Sequence, residues 1–534
     1  MDDGPERSYS PRLLAIIFGL FVVGRGFYPG LYEYAVSNQT NQFPLIRHAL
    51  DPTYLAADWT VAARTGFGSP RFFYTQFVAA FVELLGFPAA VFLLYLLGTV
   101  VILAAAYRIV TTLFGDRLVA VLVIGAMISP LTDVIDLGGN VLVKSYLIPS
   151  HLANALILVG LYWTLQRRYR PAFGVLGVAT LFHVVNGFWM SVVAGLCAVA
   201  IEAWSPLRNA DLREAIGRIP WDGAAIYGVI SLVGIAPMLA ENATTDAGWR
   251  GVYLMAWVRH PHHYVPSTWP VWQVALAILF TAVAVGAMVV FGDRLFADTR
   301  AKRAGVVWTA ALVVVFVAGW LFTEVVPVAF LIKLQPYHVD DFLFLVLYGA
   351  VFALGIEVAD RLLLALDLDP STVIQWGTTA TLVVVVVSAS MIAGFDVVDG
   401  PDYGSDLQST YEWIETETPR DAVFIASPTQ DGFRWESSRA MVVNIKSFPF
   451  RPTAMTEWGR RIADICNLDR PLTHDGLGRC GSNYETLPET TVERQAAEYD
   501  ACWMLTTNRS YSFERRFSND EYVVYYLDDV SGCR

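Results

Sequence analysis

The residues best suited to chemistry lie in the polar stretch 31–71, LYEYAVSNQTNQFPLIRHALDPTYLAADWTVAARTGFGSPR, which follows the first hydrophobic run. It carries three carboxylates (Glu33, Asp51 and Asp58), three arginines (Arg47, Arg64 and Arg71) and His48. Glu33 comes directly after the apolar run. A carboxylate partly shielded from water at a membrane surface can take a proton from an acceptor hydroxyl. Burial raises its pKa, and a nearby arginine lowers it again. Asp58 is the second candidate, as base or metal ligand. Asp51 is the third; because it precedes Pro52, its plainer role is a turn or helix cap. Arg47 could clamp a phosphate with its planar fork. Leu45, Ile46, Leu50, Tyr54, Leu55 and Trp59 are interleaved among these groups. That pattern suits short amphipathic helices at a membrane surface. A loop of this length is usually functional.

Two further clusters carry cations. The segment Trp257-Val-Arg-His-Pro-His-His-Tyr264 crowds Arg259, His260, His262 and His263 together. Such donors suit a phosphate or diphosphate headgroup, and the imidazoles could also bind a divalent metal. The segment Lys333-Leu-Gln-Pro-Tyr-His-Val-Asp-Asp341 offers Lys333, Gln335 and His338 with two carboxylates; its bland alternative is a solvated loop. Lys144, with Asp133 and Asp136, adds another contact. His183 and Asn186 sit at the tip of a short helix pair, where polar groups are often functional. No Gly-rich phosphate loop, nucleophile elbow or HExxH motif is present, so a soluble nucleotide-dependent enzyme has no support. No cofactor is implied beyond that divalent metal.

These groups must be positioned by membrane helices. The chain is 55% hydrophobic, with a mean hydropathy of +0.46. Apolar runs predict about eleven spans, at 12–30, 89–107, 118–130, 147–165, 172–185, 187–203, 224–240, 271–292, 305–322, 342–360 and 373–395. The first reads as a retained span rather than a signal peptide. Residues 72–87 read as an interfacial helix, with a twelfth span as the alternative. Basic loops at Arg167–Arg170, Arg208–Arg218 and Arg294–Arg303 mark the cytoplasmic side. With eleven spans, the N-terminus is then inside and the tail outside. All eight histidines then fall on or near the outer face, as do the sequons at Asn38, Asn242 and Asn508.

The division expected is a transmembrane domain over 1–395, a linker at 396–405 and a soluble α/β domain over 406–534. In the tail, helices are predicted near 406–416, 454–466 and 489–500, and strands at 422–427, 441–445, 502–506 and 521–527. From Asp396 onward there are 24 acidic and 14 basic residues, a net of −10 within a chain total of −12. Only four lysines occur (Lys144, Lys302, Lys333 and Lys446). An acidic, lysine-poor surface suits a high-salt prokaryote; a GC-rich genome favouring arginine codons is the alternative. Nucleic acid is not an expected partner. Cys466, Cys480, Cys502 and Cys533 could form two disulfides on an oxidising side.

The layout resembles the GT-C class of polytopic glycosyltransferases, in which a long first outer loop carries acidic residues and a soluble domain follows the last span. The phrases SNQTNQFPLIRHALDPTYLAAD, RHPHHYVP and TPRDAVFIASP also resemble an uncharacterised family of prokaryotic membrane proteins. The resemblance implies a polyprenyl-phosphate-linked sugar donor and an acidic base in the first loop. Glu33 matches that base, with Asp58 as second choice. Glu33 is followed by Tyr34, so the paired-acid signature of the class is absent. The function expected is a membrane glycosyltransferase working at the extracytoplasmic face. A multi-pass transporter and a non-catalytic envelope assembly or receptor protein are the alternatives.

Overall fold

The computed structural model describes residues 9–27, 30–129, 131–243, 248–392, 394–395, 397–398 and 400–527. Cys533 and the side chains of Asp133 and Asn242 lie outside that set. Eleven helices coincide with the expected spans: Pro11–Phe27, Phe87–Phe114, Arg117–Ile128, Pro149–Leu165, Tyr169–Phe182, Val184–Glu202, Trp221–Ala243, Val271–Leu295, Thr299–Trp320, Asp340–Ala365 and Pro370–Ile392. Among the described residues, seven helices are long and apolar enough to cross a membrane. The other four have 17, 12, 17 and 14 residues. At 1.5 Å per residue the shortest extends about 18 Å, well under the ~30 Å hydrocarbon core. The expected crossings are therefore of two kinds, full-length spans and four shorter helices, of which Arg117–Ile128 and Pro149–Leu165 are mostly buried. Phe72–Leu85 is a separate helix of 14 residues. Its ~21 Å length suits an interface helix better than a twelfth crossing. The chain is an α-helical, multi-span membrane protein with a small sheet-containing region at its C-terminal end.

The chain folds as two compact units. The first comprises residues 1–33, 93–233 and 265–399. At its heart is the helix Asp340–Ala365, in which every residue from Asp340 to Ala350 is buried. It packs against Val271–Leu295, Arg117–Ile128 and Thr299–Trp320. The helix Pro11–Phe27 packs against Pro370–Ile392. Helix starts are fixed by side-chain caps: Asp116 accepts from the amides of Leu118 and Val119, and Asp298 from that of Ala301. His183 breaks the chain between Tyr169–Phe182 and Val184–Glu202 and caps the second helix by accepting from the Asn186 amide. Gly187 permits the reversal, since a Cβ there would lie 2.4 Å from Thr180 Oγ1.

The second unit gathers residues 34–92, 234–264 and 400–534, so the C-terminal tail folds together with two earlier segments. Its sheet is β1 (Val423–Ala426), β2 (Ala440–Met441), β3 (Trp503–Thr506), β4 (Glu514–Ser518) and β5 (Val523–Tyr526). The strand order is β2-β1-β3-β5-β4. The pairs β1–β2 and β1–β3 are parallel, whereas β3–β5 and β4–β5 are antiparallel. The predicted helices are found at Gly404–Glu417, Pro452–Ile465 and Glu489–Tyr499. The strand expected at 441–445 is only the two residues of β2, because the chain turns away through Asn444, whose Oδ1 accepts the Lys446 and Ser447 amides. The unpredicted β4 is an exposed edge strand. Arg515 and Arg516 on it guard the edge against further pairing. Cys466 and Cys480 form a disulfide, and Cys502 is also disulfide-bonded.

Candidate functional site

In the first unit the organising element is the loop 136–148, which bonds Asp340, His338, Arg25 and Glu33 as well as Gln273. Two backbone donors bind Asp340: the Leu137 and Gly138 amides lie 3.1 and 2.9 Å from its Oδ2. A Cβ on Gly138 would sit 2.1 Å from the Tyr337 carbonyl oxygen, so only glycine lets the loop come this close. Asn140 Nδ2 lies 2.7 Å from His338 Nδ1 and donates to the His338 carbonyl at 3.3 Å. The Val143 carbonyl accepts from Arg25 Nη2 at 3.4 Å, while Arg25 Nη1 donates to the Ile128 carbonyl at 2.9 Å. Ser145 Oγ donates to Glu33 Oε2, and the Glu33 amide donates to the Ser145 carbonyl at 2.8 Å.

Glu33 is therefore half-buried and held in one orientation. Behind it, Tyr95 donates to the Leu31 carbonyl at 2.6 Å, and the rings of Tyr32 and Tyr95 lie 4.9 Å apart. Lys144, next to Ser145 in the chain, is half-buried. Gln335 adopts left-handed backbone, φ 45°, and starts the turn Pro336–Val339. His338 stacks on His183 with ring centroids 6.1 Å apart. Lys333 is half-buried, and burial lowers its pKa. A fixed carboxylate beside a serine hydroxyl can accept a proton. Sequence reasoning missed Ser145, Asn140 and Arg25. Arg25 did leave a signal, as an ionisable residue inside the first apolar run.

The second unit contains the remaining expected residues. Asp51 is exposed, and its Oδ1 accepts from the Thr53 amide at 2.9 Å and the Thr53 hydroxyl at 2.6 Å. These two bonds lower its pKa. It is a turn residue after the helix Gln39–Leu50, the plainer of its two expected roles. Asp58 is 1% exposed. Its Oδ1 caps the helix Trp59–Thr65 by accepting the Val61 amide at 3.0 Å. Its Oδ2 accepts from Arg434 Nε at 2.6 Å and from the Met441 amide at 3.1 Å. Both oxygens are thus committed, and in this arrangement Asp58 anchors the first loop to the tail rather than standing open as a base. Arg47 is half-buried in an aromatic cage, 4.1 Å from the Trp435 centroid, 5.5 Å from Tyr54 and 6.0 Å from Phe87.

Arg259 Nε donates to the Ile445 carbonyl at 2.6 Å. Burial lowers its pKa, against an opposing pull from Asp431. His260 is held well below the ordinary imidazole value by burial, then by Arg259, His263 and His262. His262, despite an open residue surface, is pulled down to about 4 by desolvation, then by Arg259 and His474. The His262 and His263 rings lie 4.1 Å apart. A π-helical turn, Leu254–Arg259, leads into this cluster; such turns are frequent at functional sites. Among the described residues no three His, Cys, Asp or Glu side chains converge as metal ligands. The divalent-metal expectation therefore finds no ligand set here.

The largest departure from the sequence reading is a surplus of buried positive charge. Arg64 is buried, and its Nη1 donates to the Asn41 carbonyl at 3.2 Å. Its pKa falls well below the usual value through burial, then through Arg71 and Arg434, with Asp58 opposing. Burial pulls Arg71 down to about 10. Arg64 and Arg434 thus share one carboxylate, Asp58, which is bonded to Arg434, while half-buried Arg71 adds a further positive charge beside Arg64. Among the described residues neither Arg64 nor Arg71 has a carboxylate within salt-bridge distance. The Tyr74 hydroxyl and Asn41 Nδ2 are buried nearby in the chain without a hydrogen-bond partner. Phe450 links this group to the histidines: it lies 5.6 Å beneath Arg71 and its ring stacks 6.2 Å from His260. Buried charges are normally paired, and here Arg64 is buried with only a backbone carbonyl as its hydrogen-bond partner.

The expected residues therefore fall in two groups. Glu33, Lys144, Lys333, Gln335 and His338 belong to the first unit; Arg47, Asp51, Asp58, Arg259, His260, His262 and His263 belong to the second. A family model described as a domain of unknown function, DUF6798, matches residues 405–465. No curated protein matches the chain. Two solved structures of ArnT from Cupriavidus metallidurans are similar to it. One is bound to undecaprenyl phosphate, with 12% identity and a TM-score of 0.47 over 97% of this chain and 97% of that chain. The other is in the apo state, with 11% identity and a TM-score of 0.48 over the same shares.

Proposed function

We propose that the protein is a membrane glycosyltransferase that uses a polyprenyl-phosphate-linked sugar donor. The observation that carries this reading is the surplus of shielded cations in the second unit, buried Arg64 and half-buried Arg71 above all. In a multi-span membrane protein the anion at hand is a lipid phosphate. Arg259 extends the same positive field, and the imidazoles of His260 and His262, kept neutral by burial, with His263 beside them, offer hydrogen-bonding groups next to it. Lys144, Lys333, Gln335 and His338 are proposed as polar binding groups within the first unit, beside Glu33 in the same unit.

Glu33 is the proposed base. It would take the proton of the acceptor hydroxyl while that oxygen forms a bond to the anomeric carbon. The bond from the anomeric carbon to the phosphate oxygen breaks, and the lipid phosphate leaves with the electron pair. Cations stabilise the charge on that leaving group. Asp58 and Asp51 have weaker claims to the base role, given their bonds within the loop and to the tail. The disulfide between Cys466 and Cys480 supports the proposal that the tail faces an oxidising, extracytoplasmic side, with the N-terminus cytoplasmic.

Undecaprenyl phosphate, the lipid bound in the ArnT structure, is the first probe. The purified full chain is tested for binding by native mass spectrometry and for sugar transfer from a radiolabelled lipid-phosphate donor. Binding lost in Arg64→Ala with Arg71→Ala, and transfer lost in Glu33→Gln with binding retained, would support both roles. Binding without any transfer, together with donor flux across proteoliposomes, would replace the enzyme by a transporter. No binding at all would overturn the lipid-phosphate reading.

A further inference from the structure

A second site lies in the first unit, away from any residue used above. A cleft of about 380 Å³ opens between three helices and is lined by Leu14, Phe18, Leu103, Tyr107, Arg117 and Val121, with a few neighbours of the same helices. The lining is almost wholly apolar. Its polar groups gather at one end, because Arg117 opens the helix Arg117–Ile128 while Tyr107 lies near the close of Phe87–Phe114. The helix Pro11–Phe27 contributes its first turns to the same end. Arg117, Arg12 and Arg108 are all exposed. Among the described residues none of the three is in a salt bridge. Asp116, next to Arg117 in the chain, is occupied: it accepts the Leu118 and Val119 amides at 2.7 and 3.2 Å and the Tyr9 hydroxyl at 3.2 Å.

We propose that this cleft seats one acyl chain of an anionic phospholipid, with the lipid phosphate on Arg117. The apolar length of the cleft suits a hydrocarbon chain. The cationic mouth selects the headgroup, since arginine pairs with phosphate through two parallel N–H···O bonds. Arg12 and Arg108 add to the local field, and basic pockets between membrane helices are known to hold anionic headgroups. This site does not depend on the glycosyltransferase reading.

The test uses the full chain reconstituted with equal amounts of phosphatidylglycerol and phosphatidylcholine, followed by native mass spectrometry of the retained lipid. The unsubstituted protein is expected to retain phosphatidylglycerol preferentially. Arg117→Ala lowers that preference about fivefold. Ala104→Trp, which fills the cleft and leaves every arginine in place, is expected to lower it as far. Equal retention of the two lipids by the unsubstituted protein overturns the proposal. Loss with Arg117→Ala alone puts the headgroup on an open surface and overturns the cleft; loss with Ala104→Trp alone overturns the phosphate contact. Melting curves of both variants, matched to the parent, exclude misfolding as the cause.

Discussion

Removing the Asp58 carboxylate separates an anchor from a catalyst. In Asp58→Ala, Arg434 loses its partner at 2.6 Å and stays buried at 4% exposure. Breaking a buried ion pair from one side costs about 3–5 kcal/mol, because the other charge is left uncompensated. Loss of the Val61 cap adds about 1 kcal/mol. A total near 5 kcal/mol corresponds to a fall in melting temperature of roughly 10–20 °C for a unit of this size. The assay is thermal unfolding of the detergent-purified chain, followed by tryptophan fluorescence. The companion variant Asp58→Ala with Arg434→Met removes the orphaned charge. It should recover about 2 kcal/mol, a coupling typical of residues in contact. If Asp58 acted instead as the base, Asp58→Asn would abolish transfer and melt close to the parent. The anchor assignment is refuted if Asp58→Ala melts within about 2 °C of the parent, or if the double variant is as unstable as the sum of its parts.

Four further outcomes are expected. Glu33→Gln should lower sugar transfer about 10²–10⁴-fold and leave donor binding unchanged; equal losses in both would make Glu33 a binding group. Arg71→Met should raise the melting temperature of the lipid-free chain, since a half-buried charge that repels the buried Arg64 is removed, and should abolish the stabilisation that undecaprenyl phosphate gives the parent. His260 and His262 have pKa values below that of a free imidazole, near 6.5. The unfolded chain therefore binds protons first as pH falls. Stability is fully present above pH 6.5 and declines toward pH 4, the value to which His262 is lowered; pH-dependent melting should show the decline, and the double variant His260→Phe with His262→Phe should flatten it. The Cys466–Cys480 disulfide has a sequence separation of 14, so serine at both positions should cost about 3 kcal/mol, read as a lower denaturant midpoint.

Membrane helices are legible because each of the long ones is a continuous apolar run, and such a run has few alternatives to a buried helix. Asp51 is legible for the same local reason: Asp-Pro-Thr is turn chemistry, and both bonds that define it come from Thr53. Asp58 is not, because its partner Arg434 is 376 residues away and no local pattern couples them. The short β4 carries charges at an edge, so it lacks the apolar alternation that announces a strand. Arg64 and Arg71 show the deeper difficulty. In sequence they are ordinary arginines of a polar loop, indistinguishable from Arg47. What separates the three is the company each keeps once folded. Arg47 lies among aromatic faces that accept its charge; Arg64 has one carbonyl and two repelling guanidiniums. The proposed anion site therefore rests on cations that no local pattern distinguishes, and not on the loop's three conspicuous acids.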